Sequence, residues 1–156
     1  MKIRVLGGFG GLCPGNLLTS FQINDDIIMD AGSMAEALEL AEQGRIRHVV
    51  LTHSHLDHTG TLPFFVDNIF GMHDDPVTVY GIPETVKSMR DHLFNDDIWP
   101  DFSVIPSAQN AVMRFSELAE ETPTDIGGVK VTAVRVNHTV PAVGYVFESP
   151  EAAVFF

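Results

Sequence analysis

The chain has little of what several functional classes require. Of its 156 residues only Cys13 is a cysteine. No internal disulfide can form, and a reducing compartment, the cytoplasm by default, is the expected address. Cations are scarce: nine Lys and Arg stand against twenty-one Asp and Glu, a net charge of -12. Such a surface repels nucleic-acid phosphates and anionic lipid, so no nucleic-acid partner is expected, and any phosphate ligand needs local positive charge such as metal ions. No apolar run approaches the ~18 residues that would span a bilayer, so no membrane partner is expected. Nor do the residues between Lys2 and the first glycines form the apolar core of a signal peptide. Low-complexity tracts, fixed-period repeats and Ser- or Pro-rich linkers are also absent. With 45% apolar residues the chain can bury one core, and a single domain over 1–156 is expected.

Secondary-structure signals alternate between strand and helix. Ile3 to Leu6 reads as a strand ending at Gly7-Gly8, and Leu17 to Ile23 with Ile27 to Met29 as a hairpin around Asn24-Asp25. Ser33 and Glu36 form a capping-box pattern ahead of helical spacing that Gly44 can close. His48 to Leu51 is a short run suited to a strand buried on both faces, leading directly into Thr52-His53. A helix over 61–70, a loop through His73-Asp74-Asp75-Pro76, a strand over 77–80 and a helix over 83–94 follow. Residues 95–109 lack a period and predict an ordered loop. Strands are then expected over 112–115, 129–136, 143–147 and 153–156, which together give an α/β or α+β layered fold. The last run ends while still apolar, so the chain is expected to be truncated at its C-terminus.

One segment carries chemistry. Residues 52 to 60 read THSHLDHTG, with His53, His55, Asp57 and His58 inside six positions. Imidazole nitrogen mixed with carboxylate oxygen suits Zn²⁺, Mn²⁺ or Fe²⁺ and leaves positions open for substrate. His53 and His55, two apart in an extended segment, project to the same side and can reach one ion. Asp57 and His58 point elsewhere and can serve a second ion nearby, and they are the candidate catalytic pair. Two ions a few Å apart can generate a hydroxide at neutral pH and clamp the oxygens of a phosphoryl displacement. His138, just past the apolar run 129–136, is the candidate further ligand. His48, His73 and His92 lack ligand spacing and read as core or surface histidines.

With a glycine-rich first turn (Gly7, Gly8, Gly10, Gly11), Asp30-Ala31-Gly32 after the second strand pair and a later lone histidine, THSHLDHTG resembles the metallo-β-lactamase superfamily. Within it, VYGIPETVKSMRDHLFNDDIWP at 79–100 resembles the class II cyclic nucleotide phosphodiesterases, most of all in Phe94 to Pro100. The resemblance implies an αββα sandwich with a binuclear metal site, most simply zinc with Mn or Fe as alternatives. It implies hydrolysis of 3',5'-cyclic AMP or GMP to the 5'-nucleotide by a metal-activated hydroxide. Carried over, His53, His55 and His138 hold the first ion, and Asp57 and His58 the second. The family also supplies a bridging aspartate and a final histidine beyond the strand matching 153–156, and this sequence has no Asp after Asp125 and no His after His138. The chain therefore reads as the N-terminal portion of such a domain. Asn95, Asp96 and Trp99, in the family-like stretch, are candidate substrate residues, Trp99 by stacking on a purine. Three alternatives stay open: an RNA-processing phosphodiesterase, a glyoxalase II-like thioesterase, or a metal-binding fragment without catalysis. A homodimer through the open sheet edge is allowed.

Overall fold

Two β-sheets face one another across an apolar core, and helices cover the outer side of the first. The structure is a computed structural model describing residues 1–72 and 74–156, so the loop expected at His73 lies in part outside the described residues. Its elements are β1 (Ile3–Gly7), β2 (Ser20–Ile23), β3 (Ile27–Met29), α1 (Met34–Ala37), α2 (Leu40–Gln43), β4 (His48–Val50), α3 (Leu56–Thr59), α4 (Leu62–Asn68), β5 (Val77–Gly81), α5 (Pro83–His92), β6 (Met113–Glu117), β7 (Thr124–Ile126), β8 (Val129–Val136), β9 (Ala142–Ser149) and β10 (Ala152–Phe155).

The first sheet has strands in the order β1-β2-β3-β4-β5-β6, antiparallel through β3 and parallel from β3 to β6. The parallel half needs crossovers, which α1, α4 and α5 provide. Their Met34, Leu62, Phe65, Val66 and Met89 pack with Ile28, Val49, Val77 and Val79 into one core. The second sheet, β10-β9-β8-β7, is wholly antiparallel. Its Val131, Ala133, Val143, Tyr145 and Phe147 meet Ile23, Ile27, Met29 and Val50 in a second core between the sheets. Alternation along β8 and β9 explains this: every second residue faces the first sheet. Three layers, α-β-β, are thus seen, and among the described residues no helix contributes to the core between the sheets.

Most expected elements form within a residue or two, with four differences. The helix expected from Ser33 to Gly44 is split, because Leu38 leaves helical geometry (ψ 134°) to bury its side chain in the first core. The capping box belongs to Glu39 and Glu42 of α2, while the Ser33 hydroxyl accepts a hydrogen bond from the Leu18 amide instead. α3, a single turn inside the histidine motif, replaces the expected turn. The three-residue β7 pairs with β8 where no strand was expected.

Candidate metal centre

β3 and β4 run parallel and end side by side, with Met29 opposite Val50, so the segments leaving both strands meet at one end of the sandwich. His138 leaves β8 of the other sheet at the same end. The Thr52 carbonyl accepts a hydrogen bond from the Val143 amide (3.1 Å), and the Tyr145 hydroxyl donates to the Leu51 carbonyl (2.9 Å), holding β9 against the histidine motif. Burial raises the Tyr145 hydroxyl well above the ordinary phenol value, so it remains a donor.

The expected ligands come together. Ligand atoms of His53, His55 and His138 lie within 4.8 Å of one another, and so do those of His53, Asp57 and His58. His55 Nδ1 and His138 Nε2 are 3.2 Å apart, and His58 Nε2 and Asp57 Oδ2 are 3.4 Å apart. Two nitrogens sharing one tetrahedral zinc stand about 3.4 Å apart. The donor set and its spacing therefore fit a divalent ion. A cavity of about 510 Å³ opens over all five side chains, with Phe21, Val136, Phe155 and Phe156 on its apolar walls.

Asp30 and Thr52 organise the histidines. Asp30 is 1% exposed at the end of β3, in a left-handed conformation (φ 59°) that turns its carboxylate under the motif. Its Oδ1 accepts from the Thr52 amide (2.9 Å), and its Oδ2 accepts from His58 Nδ1 (2.7 Å). The Thr52 hydroxyl contacts both carboxylate oxygens and stands 2.9 Å from His53 Nδ1. With Nδ1 of both rings engaged, Nε2 of His53 and of His58 is left for an ion, the arrangement outer partners give metal-ligating histidines. Sequence reading missed both residues as site members. In the sequence Asp30 stands out only through the family resemblance; Asp-Ala-Gly after a buried strand and Thr directly before His53 are the available signals.

The electrostatics agree with this arrangement. Burial, then the neighbouring His58, His138 and His55, lower His53 to about 4, so its ring is neutral near pH 7. Burial opposes charge on His58, but the hydrogen bond and attraction of Asp30, helped by Asp57, raise it above the ordinary imidazole value. Complete burial raises the Asp30 carboxyl, against the lowering by His58 and Thr52.

Glycine geometry fixes the motif from below. A Cβ at Gly32 would stand 2.1 Å from the Asp57 carbonyl oxygen and 2.7 Å from that of Thr19, an approach only glycine allows.

Asn95, Asp96 and Trp99 are placed elsewhere. Asn95 Oδ1 accepts from the Asp97 and Ile98 amides, Asp96 Oδ1 accepts from the Asp101 amide, and Trp99 packs edge-on against Phe64 at 5.2 Å. They shape the loop after α5, and none lines the cavity over the histidines. His48 begins β4, at the end of that strand away from the cluster, and His92 is exposed at the end of α5.

Residues 14–146 match the family described as class-II cAMP phosphodiesterases. A ribonuclease J of Thermus thermophilus is 28% identical over 90% of this chain and 25% of its own length. A probable 3',5'-cyclic-nucleotide phosphodiesterase of Yersinia pestis is 32% identical over 65% of this chain and 36% of its own. The chain thus spans about a quarter to a third of these curated relatives. Among solved structures, unliganded yeast PDE1 superposes with a TM-score of 0.80 at 16% identity, covering 98% of this chain and 63% of that one. The metallo-β-lactamase fold protein YhfI of Bacillus subtilis superposes at 0.78 and 14% identity, covering 98% and 60%. The fold is that of the metallo-β-lactamases.

Proposed function

Because the chain belongs to the class-II cAMP phosphodiesterase family, we propose that it is the N-terminal part of a hydrolase domain that opens 3',5'-cyclic nucleotides to 5'-nucleotides. The family match over residues 14–146, around a histidine cluster spaced for metal, carries this reading.

In the proposed site His53, His55 and His138 hold one divalent ion and Asp57 and His58 a second, most simply zinc. When bound, such ions lower the pKa of water and neutralise charge gathering on phosphorus. The chain's own residues set the rest. Asp30 and Thr52 keep the Nδ1 protons of His58 and His53 turned inward, so that both rings present a lone pair to the cavity. Asp57 offers carboxylate oxygens to a cation, and its role in the proposal is that of a ligand. The apolar wall of Phe21, Val136 and Phe155 limits water around the reacting phosphate.

The ribonuclease J match favours a second reading, cleavage of RNA phosphodiesters. Charge speaks against it, since a net -12 gives a polyanion no broad surface to dock on. The deciding experiment loads the chain with zinc or manganese and follows cyclic AMP beside a single-stranded RNA, with His55→Ala as control. Cyclic AMP turnover that His55→Ala abolishes supports the proposal. Turnover of RNA alone replaces it with the second reading, and turnover of neither leaves a metal-binding fragment.

A further inference from the structure

A second cleft, of about 520 Å³, adjoins the cavity over the histidine cluster and shares Asp57 with it as a wall. Gly10 and Gly11 form one side, Leu12, Leu18 and Leu56 supply apolar surface, and Glu36 stands at the rim. Two of these leucines are conspicuously wet: Leu12 is 80% and Leu56 71% exposed. Leu56 sits inside the histidine motif, between His55 and Asp57. A cleft of this size falls within the range of small-molecule sites, which are lined mostly by apolar side chains with a few polar groups. No lysine or arginine lines it. An anionic phosphate has no counter-charge there, whereas a flat, neutral ring does not need one. Gly10 lies beside the Asp57 carboxylate, for a Cβ there would make an ordinary contact of 3.8 Å with Oδ2.

We propose that this cleft is the subsite for the nucleobase of the substrate, held between Leu12 and Leu56 while the phosphate lies at the histidine cluster across Asp57. The inference rests on the cyclic-nucleotide reading given above and adds to it where the base goes. Glycines at 10 and 11 let the ring approach main chain closely, and Glu36 offers an acceptor to base N–H donors at the rim.

The test measures binding of AMP and of ribose 5-phosphate to the zinc-loaded chain by calorimetry, in wild type and in Leu12→Asn. Leu12 is largely exposed, so the variant keeps the fold. Wild type should bind AMP more tightly than ribose 5-phosphate. Losing one or two buried methylene equivalents in Leu12→Asn should shrink that preference roughly tenfold. Ribose 5-phosphate affinity should not move, and nuclear Overhauser contacts should link the purine H2 and H8 to the Leu12 and Leu56 methyls. A wild-type preference for AMP that survives in Leu12→Asn, with no such contacts, overturns the base subsite and leaves the phosphodiesterase reading standing. Equal affinity for the two ligands overturns it as well. Binding of neither ligand overturns the cyclic-nucleotide reading together with the subsite.

Discussion

Replacing Asp30 by Asn should uncouple the fold from the metal centre. The carboxylate uses both oxygens as acceptors, Oδ1 for the Thr52 amide and Oδ2 for His58 Nδ1. Asparagine keeps the shape but has one acceptor oxygen and an NH₂ group that only donates. Whichever way the amide turns, one buried N–H meets another donor. If the amide nitrogen faces His58, the imidazole proton moves to Nε2 and occupies the atom otherwise offered to the ion. Loss of a hydrogen bond to a charged group is worth about 1.5–3 kcal/mol. Loss of such an outer partner typically weakens metal binding by about 10- to 100-fold. Net stability should change less, because removing a fully buried charge relieves its desolvation. The assay is zinc titration by calorimetry or chelator competition, with circular dichroism confirming the fold. Nitrogen-detected NMR should show His58 protonated at Nδ1 in the metal-free chain and shifted toward Nε2 in the variant. A folded Asp30→Asn chain with unchanged zinc affinity would refute the reasoning.

Three further outcomes are expected. The metal-free chain should lose stability as pH falls from about 6.5 toward about 4, since His53 titrates near 4 when folded and at the ordinary 6.5 when unfolded. In that window the unfolded chain binds the extra proton, so stability rises with pH, and thermal melts of His53→Gln should show a flatter dependence. Tyr145→Phe should lower the urea midpoint by an amount equal to about 1–2 kcal/mol, because the Leu51 carbonyl loses a buried donor. An unchanged midpoint would show that water replaces the hydroxyl. Gly32→Ala should abolish tight zinc binding or folding, as its Cβ would drive the Asp57 main chain outward; a variant that binds zinc normally would contradict the packing described.

Much of the candidate site is legible because its signals are local. His53, His55, Asp57 and His58 declare themselves by spacing, and His138 by following a strong strand pattern. The strands were legible for the same reason: alternation along 129–136 and apolar runs elsewhere survive any tertiary context. What escaped depends on distant contacts. Asp30 reaches Thr52 and His58 across 22 and 28 positions, and no periodicity encodes that pairing. Leu38 broke the first helix because the core between sheet and helices outbid a weak local preference for helix. Asn95, Asp96 and Trp99 are substrate candidates by resemblance alone; in the structure the Asn95 and Asp96 side chains accept from amides of their own loop and Trp99 packs against Phe64 of α4.

His55 and His138 are 83 positions apart, and they meet only through contacts between sheets. That separation sets an order of events during synthesis. The motif from His53 to His58 leaves the ribosome long before β8 and β9 exist, and closing so long a loop carries an entropic cost that local strand pairing does not offset. A nascent chain therefore has only half of the candidate centre until the β8–β9 hairpin docks through Tyr145 and Val143. If the proposed centre takes up metal, tight uptake would report that docking event, and the ion would act as a late clasp between the two sheets.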